Sequence, residues 1–506
     1  MDLQHLSQML SKKFAIVFVP YVQTTKTLPL APAIIKSILV SNGATNVDFC
    51  DANLRWHHYL ETLPDASRQE LFNFSQSVTV FPLSAESAEH YWNWVNSIVD
   101  ELVSSDPAYI FISVFSFLGH KFTEDVCYYV RQRLPNAKII VGGPGINSWL
   151  SDHKVMWYQQ LVESELADTA CIGDAEVTLM TAITASEKVI FADQQSNKAL
   201  TASPAPDVSV YGDFYKYSHD LSNLSLPITF SKGCVKKCVF CDVEAQWPKF
   251  RVAAGGVTAN KITDIAKDSP IRQFYFTDNL VNGNCKELQK LCTTLISNNV
   301  NVELTGNFIF RSRRDMPPEH FAAMAAAGFK TVFIGLESGS PRVRAAMKKG
   351  FTSEDFEYTV DQLYTNSIKQ SWNIFVGFPT ETDDDFALTL KTIDEYSKKL
   401  GPLLEITPIG LFQAITGSPI VTQNLFDLQH EYVNGHTEVN WVTPINPENT
   451  LTARISRWES LLRLLAQHNN STRTAEKTMH LTKFYKQQLH ESKNTTKFIS
   501  IKQQTA

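Results

Sequence analysis

The stretch SKGCVKKCVFCDVEAQWPKF, residues 231–250, places Cys234, Cys238 and Cys241 in a CxxxCxxC spacing and supplies no fourth cysteine. A strand pattern, PITFS, runs directly into it. A structural zinc site takes four tetrahedral ligands, and the flanking histidines, His219 and His320, are distant in sequence. A [4Fe-4S] cluster takes one thiolate per iron, so three cysteines leave one iron open to an outside ligand. The lysines of KGCVKKC make the loop electropositive, which favours thiolate over inert thiol. The loop reads as a cluster site whose fourth position is reserved.

On the C-terminal side, IRQFYFTD, VELTGNFIF, KTVFIGLES and QSWNIFVGFP read as strands separated by helical patterns. That order calls for parallel strands with chemistry at their C-terminal ends. On the N-terminal side, FAIVFVPY (14–21), NVDFCD (46–51), AYIFISVF (108–115) and AKIIVGGPG (137–145) are strands. They alternate with helical patterns such as LPLAPAIIKSILVSNG and EDVCYYVRQRL, and ADTACIGDAEVTLMTAI adds another strand and helix. This is the signature of a doubly wound parallel sheet, in which ligands bind beyond the carboxyl ends of the strands. SVFSFLG and VGGPG fall at such ends, which makes Ser116, Gly142, Gly143 and Pro144 candidate ligand contacts. The same glycines also serve simply to turn the chain. Between the two series, TASPAPDVSVYGDFYKY (201–217) has prolines, aspartates and tyrosines without periodicity and reads as a connector.

The chain has 506 residues, 43% hydrophobic and 19% charged, enough for two or three cores. A formal net charge of -6 gives no general attraction to nucleic acid or anionic membrane, so neither is expected as a partner. The N-terminal MDLQHLSQMLSKKFAIVFVPY has no long apolar run before its lysines, and no segment reaches 18 uninterrupted apolar residues. A cytoplasmic protein without signal peptide or membrane span is the expectation. Eight unevenly spaced cysteines in so long a chain suit reduced thiols, and Cys285 and Cys292 read as ordinary ones.

CxxxCxxC after the first strand of a β/α series resembles the radical S-adenosylmethionine (SAM) superfamily. YFTDN, FIGLESGSPRVRAAMKKG and VGFPTET follow in the order seen in the branch with an N-terminal cobalamin-binding domain. The resemblance implies an α/β protein: a Rossmann-like doubly wound sheet (1–200), a linker (201–225), a partial (β/α)6 TIM-type barrel (226–430) and a C-terminal helical extension with a basic tail (431–506). It implies that Cys234, Cys238 and Cys241 ligate a [4Fe-4S] cluster while SAM chelates the open iron. Phe240 matches an aromatic position beside the adenine. Asp278 and Asn279, Glu337 and Ser338, and Gly377 and Pro379 match strand-end positions that contact SAM, although each also suits an ordinary turn. No catalytic residue is assigned beyond the cluster.

The chemistry so implied is reductive: an external donor such as flavodoxin or ferredoxin reduces the cluster, and SAM yields methionine and a 5'-deoxyadenosyl radical that abstracts hydrogen from a small-molecule or peptide substrate. With cobalamin the implied outcome is methylation of an unactivated carbon. Without methyl transfer, the same radical serves oxidation, epimerisation, rearrangement or bond formation. An iron–sulfur electron-transfer or sensing protein is the non-enzyme alternative. Residues 1–200 lack the Asp-x-His-x-x-Gly pattern that supplies a histidine below cobalt in many cobalamin folds, and His57 and His58 have the wrong spacing. No cysteine follows Cys292, which argues against auxiliary clusters of the SPASM type. In the C-terminal part, ARISRWESLLRLLAQH (453–468) places Trp458, Leu461, Leu462 and Leu465 on one face, read as a cap on the barrel or a substrate contact. From residue 472 onward seven Lys or Arg (Arg473, Lys477, Lys483, Lys486, Lys493, Lys497, Lys502) face Glu476 and Glu491, which reads as a solvated tail or a surface for an anionic partner.

Overall fold

FAIVF and YIFIS are buried at every position, as strands covered on both faces are. The computed structural model describes residues 3–21, 25–77, 82–147, 156–192, 197–415, 417–431, 439–471, 475–492 and 498–500. In it the first strands are Phe14–Phe18 (β1), Val47–Asp51 (β2), Tyr109–Ser113 (β3), Lys138–Gly142 (β4), Thr169–Ile172 (β5) and Val189–Phe191 (β6). They form one sheet in the order β2-β1-β3-β4-β5-β6, all pairings parallel. Trp56, Trp94 and Phe122 pack on one face and Ile35, Leu39, Leu179 and Ile183 on the other. The strand order reverses between β1 and β3, the place where a doubly wound sheet opens a crevice.

The second series begins with Ser225–Ile228 (β7), continues through a small antiparallel pair, Ser231–Lys232 (β8) and Arg251–Val252 (β9), and then Gln273–Phe276 (β10), Glu303–Phe308 (β11), Phe329–Glu337 (β12), Lys369–Val376 (β13) and Leu404–Leu411 (β14). Six of these make a sheet ordered β14-β13-β12-β11-β10-β7, with β11 to β14 pairing parallel. The strand β14 was not singled out in the sequence because Pro408 interrupts LEITPIGL. It lies at the sheet edge, where a missing N–H is tolerated.

The chain divides into two compact units, Met1–Pro227 with Asp264–Gln273, and Ile228–Thr263 with Phe274–Ala506. The connector belongs to the first. Asp207 N–H donates to Ala33 O (3.0 Å), Tyr211 Oη to Pro29 O (2.7 Å) and Tyr217 Oη to Asp51 Oδ2 (2.9 Å).

The helix Leu451–His468 packs against β13, β14, the helix Asp383–Leu400 and the helix Ala475–Ser492. Its buried face holds Arg454 and Arg457 beside Trp458, Leu461 and Leu465. Within the basic tail, Lys486 is paired with Glu459 at 2.7 Å. Arg473, Lys493, Lys497 and Lys502, and the side chains of Lys477, Glu476 and Glu491, lie outside the described residues. No helix among the described residues is long and apolar enough to cross a membrane.

Candidate active site

The three candidate thiols lie on the loop between β8 and β9. Gly233 opens it at φ +80°, and a Cβ there would come within 2.8 Å of Lys249 O, so the turn needs glycine. Backbone bonds fix the loop from three sides: Cys241 N–H donates to Cys238 O (3.2 Å), Val239 N–H to Met347 O (3.1 Å), and Ile420 N–H to Val239 O (2.7 Å). Lys236 N–H points at Cys234 Sγ (3.4 Å). All three cysteines are half-buried free thiols. Burial raises the pKa of Cys238 and pushes Cys241 up to about 11, so bound metal would supply the drive for deprotonation. Among the described residues, no three or more Cys, His, Asp or Glu side chains are grouped to hold one metal ion. Three soft thiols without a fourth donor fit a multi-iron cluster, with one iron per sulfur, better than a closed single-ion site.

At the end of β10, Asp278 is fully buried. Its Oδ1 accepts Phe230 N–H at 2.9 Å, just ahead of the cysteine loop, and its Oδ2 has no partner. Burial pushes the carboxyl up to about 7, against the pull of the Ser231 and Phe230 hydrogen bonds. Asn307 on β11 donates to Asp278 O (2.8 Å), whereas Asn279 is exposed.

At the end of β12, Glu337 holds φ +63°, a left-handed conformation uncommon for a residue with a side chain. Its Oε1 is 3.1 Å from Lys349 Nζ, both groups are buried, and its Oε2 has no partner. Burial acts to lower the Lys349 pKa, but the Glu337 carboxylate and the Cys238 sulfur outweigh it and the net shift is upward. Lys349 Nζ also lies 5.6 Å from the centre of the Phe240 ring, which meets Phe375 edge-on at 5.3 Å. Phe240, Glu337 and Lys349 are therefore gathered beside Cys238. Ser338 is turned to local structure: its Oγ lies 3.2 Å from Thr389 Oγ1 and accepts Ser340 N–H.

Gly377, at φ +87°, is required by the structure: a Cβ would meet Arg454 Cδ at 2.3 Å. Pro379 O accepts from Asn446 Nδ2 at 3.2 Å. Lys349, Asn449, Arg454 and Arg457 were missed in the sequence. Lys349 stood inside the quoted MKKG, and the arginines sat within a helix judged by its apolar residues alone.

In the first unit, the loops ending β3 and β4 are locked together. A Cβ on Gly143 (φ +107°) would strike Val114 O at 2.4 Å, and one on Gly145 would meet the Ser116 backbone at 2.7 Å. Ser116 Oγ accepts Leu118 N–H, and His120 Nε2 lies 2.9 Å from Gly145 O while its ring stacks on Trp157. Gly142 and Gly143 are half-buried and Pro144 is exposed, beside a loop that also exposes Phe115 and Phe117. The apolar rim at the strand-order reversal suits a large flat ligand such as cobalamin. His57 and His58 sit within the helix Ala52–Glu61, apart from these loops in sequence.

Residues 228–393, from the end of β7 ahead of the cysteine loop to the helix after β13, match the model of the radical SAM superfamily. These residues form a radical SAM domain. An anaerobic magnesium-protoporphyrin IX monomethyl ester cyclase from Synechocystis sp. is 22% identical over 309 residues, 57% of this chain and 60% of the cyclase. The structure of the cobalamin-dependent S-adenosylmethionine radical enzyme OxsB, with aqua-cobalamin and S-adenosylmethionine bound, matches at a TM-score of 0.64 and 14% identity over 90% of this chain and 67% of OxsB. The radical S-adenosylmethionine methyltransferase TsrM from Kitasatospora setae matches at 0.61 and 15% identity over 92% of both chains. At such identities the structural likenesses establish the fold.

Proposed function

We propose that this radical SAM protein is a cobalamin-dependent enzyme that cleaves SAM reductively and methylates an unactivated carbon. One observation carries the SAM part of the reading: two buried carboxyl oxygens without partners, Asp278 Oδ2 and Glu337 Oε2, belong to strand ends tied by hydrogen bonds or charge to the three-thiol loop. A buried acceptor without a donor is costly, so both are suited to a ligand that brings N–H or O–H groups. The cobalamin part rests on the fold of the first unit and on the chain's likeness to cobalamin-dependent OxsB and to TsrM with cobalamin bound.

When bound, a [4Fe-4S] cluster at Cys234, Cys238 and Cys241 supplies the electron that cleaves SAM, and cobalamin supplies the methyl group. The chain's residues hold and orient. Glu337, paired with Lys349, offers Oε2 to an amine or hydroxyl. Phe240 presents a ring face beside the third cysteine, and Asp278 fixes the start of the cysteine loop. Ser116, Gly142, Gly143 and Pro144 edge the crevice of the first unit. A small-molecule or peptide substrate and an external reductant such as flavodoxin or ferredoxin complete the reading.

Anaerobic reconstitution with iron, sulfide and cobalamin tests it. A protein that retains cobalamin absorbance after desalting and forms 5'-deoxyadenosine from SAM under reductant supports the reading. Absence of 5'-deoxyadenosine sinks it as an enzyme. A second reading, radical bond formation without methyl transfer, is favoured by the cyclase relative and by the missing Asp-x-His-x-x-Gly pattern. Formation of 5'-deoxyadenosine by protein that retains no cobalamin selects it.

A further inference from the structure

Loop 377–381, which follows β13, has no helix or strand of its own, yet every one of its carbonyls accepts a side-chain hydrogen bond. Asn449 Nδ2 donates to Phe378 O (2.9 Å) and reaches Gly377 O (3.4 Å). Asn446 Nδ2 donates to Pro379 O (3.2 Å) and Glu381 O (2.8 Å), Arg457 Nη1 to Glu381 O (3.3 Å), and Arg342 Nη2 to Thr380 O (2.6 Å). Four of the five carbonyls are thus held by residues 446–457, all beyond residue 393, where the superfamily match ends.

The loop's one carboxylate is held by the same segment. Glu381 is buried, its Oε2 accepts Gly377 N–H at 2.7 Å, and Arg457 Nη1 lies 3.4 Å from it. Arg457 is itself held by Asp383 and by Asn449 Oδ1 (3.1 Å). Arg454 fills the space a side chain would take at Gly377 and lies 3.8 Å above the Trp441 ring. From the loop, rings carry contact inward: Phe378 to Phe412 (5.3 Å), Phe412 to Phe375 (5.5 Å) and Phe375 to Phe240 (5.3 Å), the residue before Cys241.

We propose that Asn449 and Arg457 are positioning residues for SAM: they set the shape of loop 377–381, and through it the seat of Phe240, without touching the ligand. The assignment rests on the SAM-cleaving reading above. Interior packing passes displacement along contacts rather than absorbing it, so loosening the loop acts on the aromatic seat beside the cluster.

The test uses the full-length protein with reconstituted cluster. Iron and sulfide content, SAM affinity by equilibrium dialysis, and the change that SAM makes in the electron paramagnetic resonance signal of the reduced cluster are compared among variants. Asn449→Ala and Arg457→Lys are expected to keep wild-type iron and sulfide while weakening SAM binding roughly tenfold or more, the effect of losing about 1.4 kcal/mol. The Glu381→Gln/Arg457→Met double variant removes both charges and leaves no buried ion unpaired, so it serves where Arg457→Lys does not fold. It is expected to weaken SAM binding in the same way. Unchanged affinity and an unchanged SAM-dependent signal in folded variants, whatever their melting temperature, overturn the positioning role alone. A wild-type holoprotein that binds no SAM overturns the functional reading and this inference with it.

Discussion

The Glu337 carboxylate and the Lys349 ammonium stand 3.1 Å apart with almost no solvent, and they fit because residue 335 is glycine. A Cβ at Gly335 would lie 2.2 Å from Glu337 Oε1 and 2.8 Å from Lys349 Nζ. The pair and the glycine are one device: β12 ends in a left-handed turn that folds the carboxylate back over its own strand, and Lys349 closes it.

Removing one partner strands the other. Lys349→Met should destabilise the protein by about 3–5 kcal/mol, the usual cost of breaking a buried ion pair. Glu337→Gln with Lys349→Met should recover part of that loss, and Gly335→Ala should destabilise without removing any charge. Urea denaturation of the four proteins measures this. A Lys349→Met single variant as stable as wild type would show that the pair is solvated in solution.

Substitution of the loop cysteines should separate them from the rest. Cys234→Ala, Cys238→Ala and Cys241→Ala are each expected to lose most bound iron and sulfide after anaerobic reconstitution, because each removes one of three thiolates. Cys285→Ala and Cys292→Ala are expected to retain it, since Cys292 is fully buried inside a helix and Cys285 starts the same helix. Iron loss on replacing Cys292 with retention on replacing Cys238 would overturn the assignment.

The sequence made the cysteine loop and the strand–helix alternation legible because both are local: a spacing, a glycine, an apolar run. Ion pairing across 12 residues, as between Glu337 and Lys349, is not local and has no period. The helix Leu451–His468 shows the other limit. Arg454 and Arg457 fall on its apolar face at helical spacing, but charged residues are almost never fully buried unless paired. Nothing in ARISRWES names the partners, Glu381 and the carbonyls of Val439, Trp441 and Asn449, that make burial possible. The edge strand β14 escaped because its proline, a strand breaker elsewhere, is harmless at an edge.

Gly143 should tolerate no side chain. At φ +107° and with Val114 O 2.4 Å from the position of a Cβ, Gly143→Ala adds backbone strain and a backbone clash together. It should lower the thermal midpoint by several degrees in a protein prepared without cofactors, which separates packing from ligand contact. Gly43→Ala, also at positive φ but with open space around it, is expected to cost less. Equal losses at the two positions would mean that conformation, not the contact between the β3 and β4 loops, sets the requirement.

Mild acid should stabilise the cofactor-free protein. Burial pushes Asp278 up to about 7 from an ordinary value near 3.8, Glu381 up to about 7 from near 4.5, and Asp51 up to about 6 from near 3.8. In each case the folded state binds a proton that the unfolded chain has released, so stability is fully present below the unfolded value and is lost as pH rises through the folded one. The three windows together span about pH 4 to 7 and all overlap between about pH 4.5 and 6, and each unit of difference corresponds to ~1.4 kcal/mol. Asp385 does not cancel this: burial raises its pKa, but Arg342, Ser340 and Thr382 hold it well below the usual carboxylate range, so it stays charged throughout the window. Burial lowers the pKa of His120 and His320 from 6.5, which opposes the trend up to that value, so denaturant midpoints should fall from about pH 6.5 to pH 8. Asp278→Asn should flatten that slope, because an amide keeps the acceptor for Phe230 N–H and has no proton to lose. A slope unchanged by Asp278→Asn, or stability rising over the same range, would remove Asp278 as a titrating group and leave its Oδ2 ionised and open to a ligand at neutral pH.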